Sequence, residues 1–345
     1  MNKGCKYGTH RSLEPKGALP QPATKISNDM NIFDNEILID VQALNIDSAS
    51  FTQIEEEAGH DIEKIKAKII AIVAEKGKMQ NPVTGSGGML IGTVEKIGEA
   101  LKGTTDLKVG DKISTLVSLS LTPLKIEKII DIKPDIDRVV IKGKAILFES
   151  GLYAKLPKDM NENLALAALD VAGAPAQVAK LVKPGQSVLL LGAAGKSGMI
   201  CSYEAVKRVG PTGNVIGLVR NEEEATRLKR LGLKMQIVIG DARNAIDVMN
   251  ATLEHNNGCE VDVAINMVNV PNTEMSSILP VKDDGIVYFF SMATSFTKAA
   301  LGAEGVGKDV TMIVGNGYTK GHAEITLEEL RENETLRKVF EELYV

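Results

Sequence analysis

Apolar positions along this chain follow two regimes, with the change at about Asn163. In the first regime the run Glu36-Ile-Leu-Ile-Asp-Val-Gln-Ala43 alternates apolar and polar residues and predicts a strand. Gly92-Thr-Val-Glu-Lys-Ile-Gly98 predicts a second. Leu107-Lys-Val-Gly-Asp-Lys-Ile-Ser114 places a Gly-Asp turn just before a third. Between them Ile62, Ile65, Ile69, Ile72 and Val73 recur at helical spacing, so Asp61 to Lys76 reads as an amphipathic helix laid on a core.

After that point helical and extended patterns alternate. Asn163 to Leu181 reads as a helix, followed by the Lys183-Pro-Gly185 turn and a short apolar run, Val188 to Leu191. A helix from Met199 to Val209, a strand from Asn214 to Val219 and a helix from Glu222 to Leu231 closed by Gly232 come next. Strand patterns recur at Met235–Ile239, Val261–Asn266, Gly285–Ser291 and Val310–Gly315, and Thr326 to Leu343 reads as a charged amphipathic helix. Repeated β-α units of this kind predict a doubly wound parallel sheet, an α/β fold class, behind a β-rich domain. We expect 1–155 together with 322–345 to form the β-rich domain, and 156–321 the doubly wound one. The sequence contains no internal repeat and no low-complexity segment.

The segment Val188-Leu-Leu-Leu-Gly-Ala-Ala-Gly-Lys-Ser-Gly198 carries the clearest chemistry. A buried-type strand ends in Gly192-x-x-Gly195-x-x-Gly198 and a helix follows. A pyrophosphate needs this layout: small residues allow the tight turn and close backbone approach, and free N–H groups at the helix start face the anion. A glycine-rich turn alone is weak evidence, but the strand beginning after Gly213 and ending at Arg220 supplies the second half of a dinucleotide fold. The candidate cofactor residues are Gly192, Ala194, Gly195, Lys196, Ser197, Gly198, Arg220 and the strand ends Asn266 and Ser291. Nicotinamide sites usually place an acid at the end of the second strand to accept from the ribose hydroxyls. Here Val219-Arg220-Asn221 stands there, and no acid appears until Glu222. Arg220 can stack on adenine or pair with a 2′-phosphate, so the expected cofactor is NADP or NAD.

Composition narrows the class. A chain of 345 residues exceeds one ordinary core, and 44% apolar with 25% charged residues describes a globular protein. A formal charge of −5 without a basic patch argues against nucleic acid as a partner. No apolar run approaches the ~18–20 residues of a membrane span, and Met1-Asn-Lys-Gly-Cys-Lys6 lacks a signal core, so a cytoplasmic protein without membrane contact is expected. Cys5, Cys201 and Cys259 are scattered and form no C-x-x-C pair or disulfide framework. His10, His60, His255 and His322 lack ligand spacing, so no metal is expected.

Ile37-Leu-Ile-Asp-Val-Gln-Ala43 with Asn45-Ile-Asp47, Gly92-Thr-Val-Glu-Lys-Ile-Gly98, Val109-Gly-Asp111 and Gly192-Ala-Ala-Gly195, in this order, resemble the medium-chain dehydrogenase/reductase superfamily. The resemblance implies a GroES-like β-domain joined to a Rossmann domain, with the active site between them. Many zinc-dependent members carry a Cys where this chain has Asp47 and a His-Glu pair where it has Gly88-Met89, which implies chemistry without zinc. Within the superfamily, Gly4-Cys-Lys-Tyr-Gly-Thr-His-Arg11, Glu14-Pro-Lys-Gly17, Leu19-Pro-Gln-Pro-Ala23, Leu44-Asn-Ile-Asp-Ser-Ala-Ser-Phe-Thr-Gln53 and Leu169-Asp-Val-Ala-Gly-Ala-Pro-Ala-Gln177 resemble the L-erythro-3,5-diaminohexanoate dehydrogenases of lysine fermentation. That likeness implies oxidative deamination of a small diamino acid at its 3-amino group.

Such a reaction sets its own requirements. The 3-ammonium must lose a proton before hydride can leave C3, so a base must stand within hydrogen-bond reach. Asp47 is the first candidate for that base or for anchoring the ammonium. Asp170 is the second, and a surface carboxylate is an equally good reading of it. Ser48 and Ser50 flank Asp47 as candidate substrate-binding residues, with simple turn residues the alternative. Arg11 could fork onto the substrate carboxylate and His10 beside it could move a proton, although a polar N-terminal strand explains both. Two rival readings stand beside this one: a zinc-independent quinone or enoyl reductase using NADPH, and a non-catalytic NADPH-binding protein. A homodimer or higher homo-oligomer is expected.

Overall fold

The computed structural model describes residues 2–315 and 317–345. The chain divides into two compact units, the first running to Lys158 and the second from Asp159 to Val345.

In the first unit the order is β1 (Ser12–Glu14), β2 (Lys25–Ile26), β3 (Glu36–Asn45), α1 (Ser48–Glu57), α2 (Ile62–Lys76), β4 (Met89–Ile97), β5 (Lys112–Thr115), β6 (Leu124–Lys133), β7 (Arg138–Phe148) and β8 (Tyr153–Lys155). The larger sheet runs β6-β7-β3-β4-β5-β8, antiparallel throughout. The expected helix is α2, started by Asp61, whose carboxylate accepts from the N–H groups of Glu63 and Lys64, and ended by Gly77 in the left-handed region at φ 73°. Its buried face, Ile65, Ile69 and Val73, joins Ile39, Val41, Leu44, Leu90 and Val139 in the core. Strands β6 and β7, which no sequence run announced, complete the sheet.

The second unit continues α3 (Glu162–Leu169), α4 (Gly173–Leu181), β9 (Ser187–Leu191), α5 (Lys196–Val209), β10 (Asn214–Val219), α6 (Glu222–Lys229), β11 (Gln236–Ile239), α7 (Ala245–His255), β12 (Val261–Asn266), α8 (Glu274–Ile278), β13 (Val281–Phe289), α9 (Phe296–Val306), β14 (Thr311–Val314), α10 (His322–Glu332) and α11 (Glu334–Tyr344). Its sheet is parallel in the order β11-β10-β9-β12-β13-β14. That is the doubly wound order, with the chain reversing direction across the sheet between β9 and β12, where such sheets bind ligands at their carboxyl ends.

Three expectations change here. The helix read over Asn163–Leu181 is two helices, because Pro175 in the first turn of α4 has no N–H to continue a helix from α3. The helix read over Thr326–Leu343 begins earlier, at His322, and breaks at Asn333, whose side chain accepts from Leu336 N–H and starts α11. Both of these C-terminal helices pack in the second unit, α10 against α3, α4 and α5 and α11 against α3 and α5, so 322–345 does not join the first unit as expected. No single described helix is long and apolar enough to cross a membrane.

Candidate active site

The glycine turn of the second unit is built as a pyrophosphate cradle requires. Leu191 ends β9 and Gly192 turns at φ 80°, a conformation that a side chain would strain. Its N–H and that of Ala193 both donate to Leu218 O on β10, at 3.0 and 3.1 Å. Gly195 starts α5 as a residue with no capping side chain, so the first-turn N–H groups, which have no intrahelical acceptor, are left for a ligand. A Cβ built on Gly195 meets only Gly192 O at 3.5 Å, so this exposed position is open on its outer side. A Cβ on Gly198 would stand 2.1 Å from Gly192 O and 2.6 Å from Ala193 C, so this glycine lets α5 seat directly on β9. Three glycines thus serve three purposes: turn, approach and packing. Ala194 is buried and Ser197 lies half-exposed in the first turn.

Charged groups gather around the turn. Lys196 donates to Asp170 Oδ2 at 2.9 Å and lies 5.4 Å over the Tyr344 ring. Asp170, exposed at the end of α3, is therefore an ion-pair partner of the glycine-turn lysine. Arg220 is not free. Its Nε donates to Glu224 Oε1 at 2.7 Å, its Nη2 lies 2.5 Å from the same oxygen, and its backbone N–H donates to Glu224 Oε2 at 2.9 Å. Burial works against the charge on Glu224, but the hydrogen bonds from Arg220 outweigh it and hold the carboxyl below its ordinary range. A carboxylate thus does stand at the end of β10, supplied from the first turn of α6. The sequence reading missed it because it looked for an acid on the strand itself. Arg227, one turn further along α6, was also missed; it reaches Ala194 O at 3.4 Å.

Of the two strand-end candidates, the Asn266 side chain departs from expectation. Asn266 is buried, with its amide donating to Thr273 Oγ1 and Ser277 Oγ at 2.9 Å each and its oxygen accepting from Val268 N–H. Its side chain orders the loop after β12 and is not available to a ligand. Ser291 lies just past β13, where its hydroxyl accepts from Ala293 N–H at 3.1 Å.

In the first unit Asp47 is exposed at the start of α1. An aspartate there ordinarily accepts from its own helix, but this one makes no such bond. Its Oδ2 accepts from Gly87 N–H at 3.1 Å, and the second oxygen has no hydrogen-bond partner among the described residues. Ser48 beside it donates to Asp137. Ser50 is fully buried and its hydroxyl lies 2.5 Å from Thr84 Oγ1 and 2.6 Å from Ser86 Oγ, so it faces the loop and not a ligand.

Arg11 and His10 are structural, contrary to expectation. Arg11 is buried and forks onto Glu36 at 2.7 Å through both Nε and Nη2, while its remaining donors reach Asp29 O and Asn31 O. His10 Nδ1 accepts from Cys5 N–H at 2.9 Å, so the ring hydrogen sits on Nε2 and donates to Glu36 Oε1 at 2.9 Å. Burial opposes the charge of Glu36, but Arg11, Phe33 N–H and His10 together keep its carboxyl below the ordinary range. Four of the five Arg11 N–H groups and the His10 Nε2–H are spent on folding the N-terminal segment, which fixes both side chains in structural roles.

Among the described residues no group of three or more His, Cys, Asp or Glu could hold a metal ion. A cavity of about 560 Å³ elsewhere in the second unit is lined by Lys180, Arg208, Tyr288, Val314 and Lys320, and none of the expected site residues borders it.

Residues 10–157 match a family model described as the L-erythro-3,5-diaminohexanoate dehydrogenase N-terminal domain. A curated protein of that name from Fusobacterium nucleatum is 77% identical over 345 residues, covering all of both chains. Another from Acetoanaerobium sticklandii is 75% identical over 343 residues, covering 99% of this chain and all of the other. Among solved structures, the CurK enoyl reductase superposes with a TM-score of 0.54 at 18% identity, covering 88% of this chain and 81% of that one. An Escherichia coli quinone oxidoreductase complexed with NADPH superposes at 0.51 and 18%, covering 90% and 80%. At such identities the structural likeness is one of fold: a GroES-like unit and a Rossmann unit, as expected from the sequence.

Proposed function

The chain belongs to the L-erythro-3,5-diaminohexanoate dehydrogenase family, and we propose that it oxidatively deaminates that diamino acid to 5-amino-3-oxohexanoate. The observation that carries this reading is 77% identity across the full length of a relative so named. It is an oxidoreductase with a nicotinamide cofactor, and the glycine turn fits that group: the outer side of Gly195 is open and the first-turn N–H groups are unspent.

The balance is one ammonium substrate, one oxidised cofactor and one water giving the ketone, ammonium, reduced cofactor and a proton. The nicotinamide, when bound, accepts the hydride lost from C3. The chain must supply a base, and Asp47 is our assignment: its carboxylate is exposed, has turned away from its own helix and keeps one oxygen open. It takes the proton from the 3-ammonium, leaving a nitrogen lone pair that expels the hydride and gives an iminium. Once that proton has passed to solvent, the carboxylate takes another from the water that adds to C3 and returns it to the nitrogen, which departs as ammonium with the hydroxyl proton. An amine carries that lone pair itself, so the step needs no metal to stabilise an alkoxide.

For the cofactor we assign NAD as the tighter ligand. Glu224 is an acceptor suited to ribose hydroxyls, and Arg220 at the strand end is already paired with it. A 2′-phosphate brought to that end would meet Glu222, Glu223 and Glu224, all in the first turn of α6. Self-association remains part of the reading, supported by β14, an edge strand whose Val314 is largely exposed.

The test is steady-state turnover of the purified chain with L-erythro-3,5-diaminohexanoate and NAD, scoring reduced cofactor and ammonium together. One ammonium per reduced cofactor is expected. Turnover of quinones or enoyl thioesters by NADPH, with none of the diamino acid, would favour the reductase reading instead.

A further inference from the structure

The loop Asn81-Pro-Val-Thr-Gly-Ser-Gly-Gly88 ends in the amide that holds Asp47, and its shape is enforced from several sides. Asn81 is fully buried. Its Oδ1 accepts from Val83 N–H at 2.7 Å and Thr84 N–H at 3.3 Å, and its Nδ2 donates to Ser50 O at 3.1 Å and Gln53 Oε1 at 2.8 Å. Backbone bonds from Asn81 N–H to Ser86 O and from Gly85 N–H to Asn81 O, 2.9 Å each, close the turn. Leu119 N–H donates to Gly88 O at 2.8 Å. A Cβ on Gly88 would come within 2.0 Å of Asn45 O, so the loop lies directly on the end of β3.

Ser50 is the side chain that ties this loop to the helix bearing Asp47. It lies three residues after Asp47, on the same face of α1, and is 0% exposed. One hydroxyl has one hydrogen, so Ser50 donates to one of Thr84 and Ser86 and accepts from the other. That bridge fixes Ser86, and with it the next amide in the chain, Gly87 N–H, against the Asp47 carboxylate.

We propose that Ser50 is a positioning residue for Asp47: through the Ser86–Gly87 segment it aims the carboxylate outward. The proposal rests on the assignment of Asp47 as the base. Thr84 is exposed and Ser86 half-buried on the outer side of the bridge, and their hydroxyls meet that of Ser50. Ser50 acts from behind them and touches no substrate.

A double-mutant cycle on the full chain tests it, with Ser50→Ala, Asp47→Asn and the combination, reading kcat, KM for the diamino acid and NAD affinity by titration. Losing one buried hydrogen-bonding group at about 1.4 kcal/mol corresponds to a roughly tenfold fall in kcat in Ser50→Ala. KM and NAD affinity stay within about twofold, and the combined variant is no slower than Asp47→Asn alone. A merely structural serine would lower both kcat and affinity, and its loss would add to that of Asp47→Asn; either result overturns the proposal. Wild-type kcat in Ser50→Ala overturns it too while leaving Asp47 as base. Wild-type kcat in Asp47→Asn removes the base assignment, and the proposal with it. Where Ser50→Ala does not fold, Ser86→Ala cuts the same bridge from the loop side and carries the same expectations.

Discussion

Single residues decide what the site can do. If Asp47 takes the proton from the 3-ammonium, Asp47→Asn keeps the shape and loses both base and charge. Its kcat is expected to fall by about 10²–10⁴-fold with NAD affinity near wild type; an unchanged turnover number by initial-rate kinetics would remove it from the mechanism. A different residue sets an alkaline limit on the fold. Glu329 on α10 is 1% exposed, neither of its carboxyl oxygens has a partner among the described residues, and burial together with nearby Glu204 raises its pKa to about 10. Here the folded value lies above the unfolded one, so the folded chain keeps a proton that the unfolded chain releases. The protonated form is favoured in the fold, and stability falls as pH rises through the window from the ordinary carboxylate range towards 10. Glu329→Gln, neutral at every pH, is expected to flatten the decline in thermal midpoint between neutral and mildly alkaline buffers. A decline as steep as wild type would show that the group does not carry it.

At the scale of elements, the starts of α5 and α6 set the ligand chemistry of the Rossmann unit. The glycines of the α5 start separate by experiment. Gly195→Val leaves the fold intact, because a Cβ there meets nothing closer than 3.5 Å, and abolishes NADH binding by filling the approach path. Gly198→Val pushes a side chain into Gly192 O and Ala193 C, so it lowers the thermal midpoint as well. Unchanged NADH titration in Gly195→Val would contradict the cradle. At the start of α6, Glu224→Gln removes the charge of the ribose acceptor and with it the ion pair that holds Arg220. The ratio of NAD to NADP affinity is expected to fall by about tenfold, the effect of one charge-assisted hydrogen bond, as measured by titration with each cofactor. An unchanged ratio would dismiss Glu224 as the discriminating group.

For the whole molecule, what was legible in the sequence followed from local pattern. The β-α alternation after Asn163 and the spacing of Gly192, Gly195 and Gly198 are read along the chain, and both units have the expected fold. What was not legible depended on side chains meeting across distance. Arg11 and His10 looked available because their partner, Glu36, lies 25 and 26 residues away on β3. Glu224 looked remote from the strand end because the turn into α6 that brings its carboxylate back onto Arg220 leaves no mark in strand periodicity. Ser50 read as a candidate substrate contact or a turn residue because Thr84 and Ser86, which occupy its hydroxyl, lie more than 30 residues along the chain. The C-terminal helices were misplaced for a similar reason: an amphipathic face shows that it is buried, not against what.

The central claim is that this chain removes hydride from the carbon bearing the 3-amino group. Substrate carrying deuterium at C3 tests it most directly, by mass analysis of the nicotinamide after turnover. The account predicts that the deuterium appears in the reduced cofactor, one atom per ammonium released. Reduced cofactor without deuterium, or deuterium retained in the product, would contradict it.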